Sequence, residues 1–217
     1  MIAAPAGGTI VALSPTERTS PMASVPRFAA RWLLASLAGL ILGAVALVVT
    51  MTAITAAGGS EESDVLFAIP LGLIIGGSLG LAQQAVLRRR VPGVPWALAS
   101  TAGMLAGTLL VFNVIGDDGG VSEPVEAVLH ALAVGLSMGI AQGLALRHRV
   151  SRGDRWLPIA VAVWLTAEGL GRSVIALTGA EEAGLLTIFL SAHALTGPAL
   201  GMLLAGTRRQ TAAAAAA

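Results

Sequence analysis

The chain has 217 residues, of which 55% are hydrophobic and only 12% are charged, with a formal net charge of +1. A soluble domain carries roughly twice that charged fraction, so this composition and a mean hydropathy of +0.83 indicate a membrane protein. Cysteine is absent, which excludes disulfides, thiol catalysis and cysteine-based metal or iron–sulfur sites.

Six apolar segments follow one another along the chain, at approximately 32–57, 65–87, 96–115, 125–146, 156–178 and 184–206. Each has about 20 residues or more, enough for a helix to cross a hydrocarbon core of roughly 30 Å. Only a helix satisfies its own backbone polar groups in lipid. The sequence therefore predicts a flexible N-terminal tail over 1–26, a six-helix transmembrane domain over 27–209 and a low-complexity alanine tail over 210–217.

Charged residues separate by side of the membrane. The arginines lie before the first span, in alternate loops and after the last span, whereas the remaining loops are acidic. The positive-inside rule then places both termini in the cytoplasm and predicts a multi-pass protein of the cytoplasmic membrane. It also explains the high isoelectric point without nucleic-acid binding. The arginines concerned are Arg27, Arg31, Arg88, Arg89, Arg90, Arg147, Arg149, Arg152, Arg155, Arg208 and Arg209; the acidic residues are Glu61, Glu62, Asp64, Asp117, Asp118, Glu123, Glu126, Glu181 and Glu182.

A repeat of about 60 residues recurs three times. The stretch that begins Trp32-Leu-Leu-Ala-Ser36 returns as Trp96-Ala-Leu-Ala-Ser100, and a weaker third copy begins at Trp156. Each copy holds two apolar segments, and a fixed period of this kind indicates a repeat architecture. The predicted fold is therefore all-α: three parallel-repeat helical hairpins, about 27–90, 91–150 and 151–209, related by pseudo-threefold symmetry.

Small residues and glutamines recur on one face of the even-numbered helices. Spacings of four and three residues place them on the same side of a helix. Glycines allow close helix approach, and a glutamine on the same face can hydrogen-bond to a neighbouring helix. We predict a helix-packing role for these residues, with a polar lining at the cytoplasmic mouth of a cavity as the alternative. The set comprises Gly76, Gly80, Gln83, Gly135, Gly139, Gln142, Gly197 and Gly201.

A tryptophan opens each odd-numbered span. Trp32, Trp96 and Trp156 all lie at the predicted cytoplasmic boundary. Indole rings are enriched where the bilayer meets water, because one part of the ring is apolar and the other carries a hydrogen-bond donor. The pattern predicts that these tryptophans are interface anchors.

One linking segment resembles a stretch found in uncharacterised bacterial multi-pass membrane proteins. The residues that carry this resemblance are Gly80-Leu-Ala-Gln83, then Leu87-Arg88, then a turn and Trp96-Ala-Leu-Ala-Ser100. In that group the segment links two transmembrane helices. The resemblance therefore implies helical hairpins, and it implies no activity.

Three of the ionisable residues inside the predicted spans form a candidate cluster. Glu168 and Arg172 are four residues apart in helix five, and His193 lies in helix six at a similar predicted depth. Charged groups in lipid are costly and usually face a bundle interior. We expect a cluster of Glu168, Arg172 and His193, either as a structural ion pair or as a proton-linked or ligand-binding group. A zinc site formed by His130, Glu168 and His193 is strongly disfavoured, because no single helix has metal-ligand spacing.

An intramembrane hydrolase is the most remote alternative. Gly135-Leu-Ser137-Met-Gly139 in helix four, with His193 in helix six, is similar to the serine and histidine of rhomboid proteases. However, Met138 follows the serine where rhomboids have glycine, and helix two lacks their histidine and asparagine. Gly76-Gly-Ser78-Leu-Gly80 repeats the pattern with no partner histidine.

The sequence therefore predicts a non-enzymatic helical bundle that acts as a scaffold or partner-binding module. The alternative is a small proton-coupled or solute transporter that uses Glu168, Arg172 and His193. No catalytic residue, cofactor or metal is predicted. The expected partners are the lipid bilayer and either other membrane proteins or a second copy of the chain, and nucleic acid is not among them.

Overall fold

The computed structural model describes residues 24–58, 64–115 and 122–216. Most of the predicted N-terminal tail lies outside these ranges. So do four of the predicted external acidic residues: Glu61, Glu62, Asp117 and Asp118. Within the described ranges the chain is helical and contains no strand.

Six long helices form the described structure: α1 (Val25–Ala56), α2 (Asp64–Leu87), α3 (Trp96–Leu110), α4 (Glu123–Leu146), α5 (Trp156–Thr178) and α6 (Glu181–Ala216). A π-helical segment, Val111–Ile115, continues α3, and a short 3₁₀ turn, Gly153–Arg155, precedes α5. All six are long and apolar enough to cross a membrane, which confirms the predicted all-α, multi-pass architecture. Helix α6 continues through most of the segment predicted as an alanine tail.

The helices form a closed ring. Each helix packs against its neighbours in sequence, and α6 also packs against α1. Consecutive helices run in opposite directions, so the bundle has two distinct ends. We call the end with the connections 88–95 and 147–155 the arginine end. We call the opposite end, where α2, α4 and α6 begin, the acidic end.

Tight turns make these connections possible. The α2–α3 connection contains Gly93 at φ +75°, and α5 ends at Gly179 at φ +70°. Both are in the left-handed conformation that glycine adopts at little cost. The Gly179 N–H donates a hydrogen bond to the Ile175 carbonyl oxygen, which closes the last turn of α5.

The outer surface of the ring is strongly apolar. Leu98 and Leu34 are 71% and 67% exposed, and many other leucines, isoleucines and valines also point outward. A soluble protein rarely exposes so large a continuous apolar surface. Contact with lipid acyl chains makes such a surface favourable. The outward leucines therefore agree with helices that span a bilayer.

Two apolar layers fill the ring. The layer at the arginine end is built around Phe28, the three repeat tryptophans and Leu200. The second layer lies further toward the acidic end and includes Met104, Met138, Trp164 and Ile188.

Candidate functional site

Glycines mark the contacts between one hairpin and the next. A methyl group added at Gly80 would lie 2.9 Å from the Cα of Ala97 in α3, and one at Gly139 would lie 3.1 Å from the Cβ of Ala160 in α5. Gly76 and Gly135 make similar approaches to the same two helices. In α6, Gly197 and Gly201 face α1, where the added methyl groups would meet Trp32 and Phe28. A side chain at any of these six positions would crowd the neighbouring helix, against backbone atoms at Gly76, Gly80 and Gly135 and chiefly against side-chain atoms at Gly139, Gly197 and Gly201.

Each of the two glutamines joins a tryptophan and a serine from different helices. Trp96 Nε1 donates to Gln83 Oε1 at 2.9 Å, and Gln83 Nε2 donates to Ser36 Oγ at 2.9 Å. All three side chains are buried. The amide therefore satisfies two buried polar groups at once, which stabilises the α1–α2–α3 contact.

Gln142 repeats this arrangement one hairpin later. Trp156 Nε1 donates to Gln142 Oε1 at 2.9 Å, and Gln142 Nε2 donates to Ser100 Oγ at 3.0 Å. The third junction differs, because Leu204 stands in place of the glutamine and Trp32 Nε1 donates to Thr196 Oγ1 at 3.1 Å. All three indole donors are thus satisfied inside the protein.

The interface-anchor prediction for the tryptophans is wrong. Trp32, Trp96 and Trp156 are 1%, 0% and 1% exposed. Their rings meet edge to face in the middle of the ring of helices, with centroids 5.5 Å apart for Trp32–Trp96 and 5.7 Å for Trp96–Trp156. The reason is helix periodicity: Trp32 shares a face with Ser36 and Gly39, so it points inward with them. We call these three rings the tryptophan layer.

His193 does not join the predicted cluster. Its Nδ1 lies 3.3 Å from Gln83 Nε2, and its buried Nε2 has no hydrogen-bond partner among the described residues. Helix α6 turns the imidazole across the ring toward α2, whereas α5 turns Glu168 toward α4. The prediction that Glu168, Arg172 and His193 form one group is therefore wrong for His193.

Glu168 and Arg172 do form an ion pair, with Arg172 Nε 3.1 Å from Glu168 Oε1. The pair extends to α4, where Arg172 Nη2 lies 3.9 Å from Glu126 Oε1 and His130 Nε2 lies 3.6 Å from the same oxygen. Glu126 was expected only as a loop charge. The i, i+4 spacing of Glu126 and His130 was the available signal that both face one side of α4.

Two cavities at the acidic end meet at Glu168. The central cavity, of about 180 Å³, lies inside the ring and is lined by apolar side chains together with Thr108, His130 and Glu168. The α4–α5 groove, of about 450 Å³, is lined by Ala127, Ala131, Gly169 and Arg172 as well as Glu168. The Glu168 carboxylate is thus the polar group that the two spaces share, and its side chain is only 10% exposed.

The central cavity also contacts the π-helical segment. Val111 and Phe112 line it, and Phe112 packs edge to face on Phe67, with 5.6 Å between ring centroids. Short π-helical segments are frequent at functional sites because they displace side chains from regular helix positions. Sequence periodicity contains no signal for this segment, so it was not predicted.

The geometry gives no support to a serine–histidine pair. Neither imidazole nitrogen of His193 hydrogen-bonds to Ser137, and the Ser137 carbonyl faces Gly103 on α3. In the described ranges, no group of three histidine, aspartate or glutamate side chains is close enough to hold a metal ion.

Comparison with known proteins identifies no relative: no protein-family model, curated protein or solved structure matches this chain.

Proposed function

We propose that this protein is a non-enzymatic, multi-pass protein of the cytoplasmic membrane that acts as a scaffold or partner-binding module. The arginine end faces the cytoplasm in this proposal, and the acidic end faces outward. The support is the segregation of arginine from acidic residues between the two ends.

The proposed scaffold has pseudo-threefold symmetry about an axis along the membrane normal. The equivalent glycine contacts of α2 on α3, α4 on α5 and α6 on α1 support this symmetry. So do the two matching tryptophan–glutamine–serine sets. In the proposal, the third hairpin departs from this symmetry, because it carries Glu168 and Arg172 in place of part of the shared packing contacts.

The observation that carries the binding role is the α4–α5 groove with a buried carboxylate in its wall. Its lining combines the small residues Ala127, Ala131, Gly169 and Ala176 with larger side chains such as Leu165. A methyl group added at Gly169 would meet no atom within 4 Å. Small residues let a further helix approach closely, and a polar group at such a contact fixes its position. The proposed occupant is a transmembrane helix that presents a hydrogen-bond donor to Glu168.

Site-specific photo-crosslinking tests this role. A photoreactive residue at Gly169 should crosslink, in native membranes, to a transmembrane segment of a partner or a second copy of this chain. The same residue at Leu98, which is 71% exposed on α3, is the control, because Leu98 lines neither the α4–α5 groove nor the central cavity. Crosslinking that is equal at both positions, or unchanged by Glu168→Gln, would contradict the proposal.

A transporter is the second candidate function, because His130 and Glu168 line the central cavity inside the ring. Glu168→Gln separates the two functions. In a scaffold, the change weakens the pairing with Arg172 and lowers thermal stability only. In a proton-coupled transporter, it abolishes pH-dependent flux in proteoliposomes while expression stays near normal.

Reporter fusions test the proposed orientation. Fusions after Arg90 and Arg149 should report a cytoplasmic location, and fusions after Glu62 and Glu182 an external one. One reversed loop would overturn the orientation.

A further inference from the structure

A second groove lies at the arginine end, between α1 and α2, on the outer surface of the ring. It encloses about 700 Å³ and is separate from the cavities at Glu168. Both of its walls belong to membrane-spanning helices. Its contents would therefore lie at the level where lipid headgroups meet acyl chains.

Four arginines surround the mouth of this groove. Arg27 and Arg31 come from the first turns of α1, and Arg89 and Arg90 follow the end of α2. These are four of the thirteen basic residues in the chain, and they converge on one opening. No aspartate or glutamate lines the groove among the described residues.

Arg90 is held in place, and the other three arginines are not. Arg90 Nη1 donates to Ser24 Oγ at 3.2 Å, and its guanidinium carbon lies 5.5 Å from the centroid of the Phe28 ring. Arg27, Arg31 and Arg89 are exposed, and in the described part of the chain they form no ion pair. Arg27, Arg31 and Arg89 thus place positive charge at the mouth of the groove, and no acidic side chain among the described residues pairs with any of the three.

The floor of the groove is apolar. It is formed by side chains that carry no polar group: Phe28, Leu34, Ala35, Ala82, Ala85 and Val86. A positive rim above an apolar floor matches a molecule with an anionic head and a hydrocarbon tail. Arginine suits the head, because its planar fork can bind two phosphate oxygens at once.

The N-terminal segment of this chain is a poor candidate for the occupant of the groove. Residues 1–23 contain one acidic residue, Glu17, and one basic residue, Arg18, so they bring no net negative charge to the arginines. Anionic phospholipids carry that charge, and basic pockets between transmembrane helices are a recurrent way to bind them.

We propose that the α1–α2 groove binds an anionic phospholipid, with the phosphate held by Arg27, Arg31 and Arg89 and an acyl chain lying on the apolar floor. The site rests on the described side chains and not on the proposed orientation or partner-binding role.

Native mass spectrometry of the full chain, with phosphatidylglycerol as the probe, tests this site. The wild-type protein should retain phosphatidylglycerol in preference to phosphatidylcholine at equal concentration. Arg31→Ala and Arg89→Ala should each weaken binding by about fivefold, the effect of about one basic side chain near an anionic headgroup. Arg88→Ala is the matched control, because Arg88 is an exposed neighbour outside the groove lining.

The apolar floor is tested separately, without a change of charge. Ala85→Phe should fill the groove and weaken phosphatidylglycerol retention, whereas Leu81→Phe, on an exposed part of α2 outside the groove, should not. Thermal stability in phosphatidylcholine vesicles checks that each variant is folded. Equal losses for Arg88→Ala and Arg89→Ala would show general surface charge and overturn the site. Displacement of the lipid by inorganic phosphate alone would show a free-anion site and overturn the lipid assignment.

Discussion

Gly80→Leu is expected to lower the free energy of unfolding by about 1–3 kcal/mol, the usual cost of overpacking a filled interior. A methyl group at this position would already lie 2.9 Å from both the Cα and the carbonyl oxygen of Ala97. Backbone atoms cannot move aside as a flexible side chain can, so α2 and α3 must separate. Thermal unfolding in detergent, followed by loss of helical circular dichroism, measures the effect.

Gly169→Leu is the matched control for Gly80→Leu. Gly169 also lies within a transmembrane helix, but a methyl group there would meet nothing within 4 Å. The control removes a helical glycine without creating a clash, so its stability should be unchanged or slightly higher. If Gly80→Leu is as stable as Gly169→Leu, Gly80 does not lie at a helix contact.

Gln83→Leu should destabilise the protein by about 1–3 kcal/mol, the cost of a buried donor without a partner. The change leaves the Trp96 indole N–H without its acceptor and removes the partner of His193 Nδ1. Gln142→Leu removes the equivalent acceptor from Trp156 but no histidine contact, so its effect should be smaller. Chemical denaturation of the two variants in the same detergent measures the difference.

A double variant distinguishes the lost hydrogen bond from lost packing. Trp96→Phe removes the indole donor, so Gln83→Leu in that background should cost less than in the wild type. Equal costs in both backgrounds would show that the Gln83–Trp96 hydrogen bond contributes nothing measurable to stability.

The spans were predictable because their signals are local in sequence. Continuous apolar runs predicted the number of helices, and α2 to α5 begin and end near the expected residues, whereas α1 begins earlier and α6 ends later than expected. Spacings of three and four residues placed Gly80 and Gln83 on one face without any knowledge of the partner helix. Such spacings do not identify the helix that packs against this face, which here belongs to the next hairpin.

The errors arose where a side chain suits two environments. An indole at a helix start suits the bilayer interface as well as a buried site with a hydrogen-bond acceptor. For Trp96 the buried site is favoured because Gln83, more than ten residues away in the sequence, supplies that acceptor. His193 was assigned to Glu168 by depth alone, although depth does not specify direction around a helix. The extension of the ion pair to Glu126 depends on how α4 and α5 pack, which neither helix encodes by itself.

The contact between α6 and α1 joins the last of the six described helices in chain order with the first. Until α6 leaves the ribosome, Trp32 lacks Thr196 as an acceptor, and the surface of α1 later covered by Gly197 and Gly201 has no protein neighbour. The nascent bundle is therefore an open arc through five of its six helices. A chain that stops before α6 would leave that arc unsealed, with the Trp32 indole N–H deprived of its Thr196 acceptor.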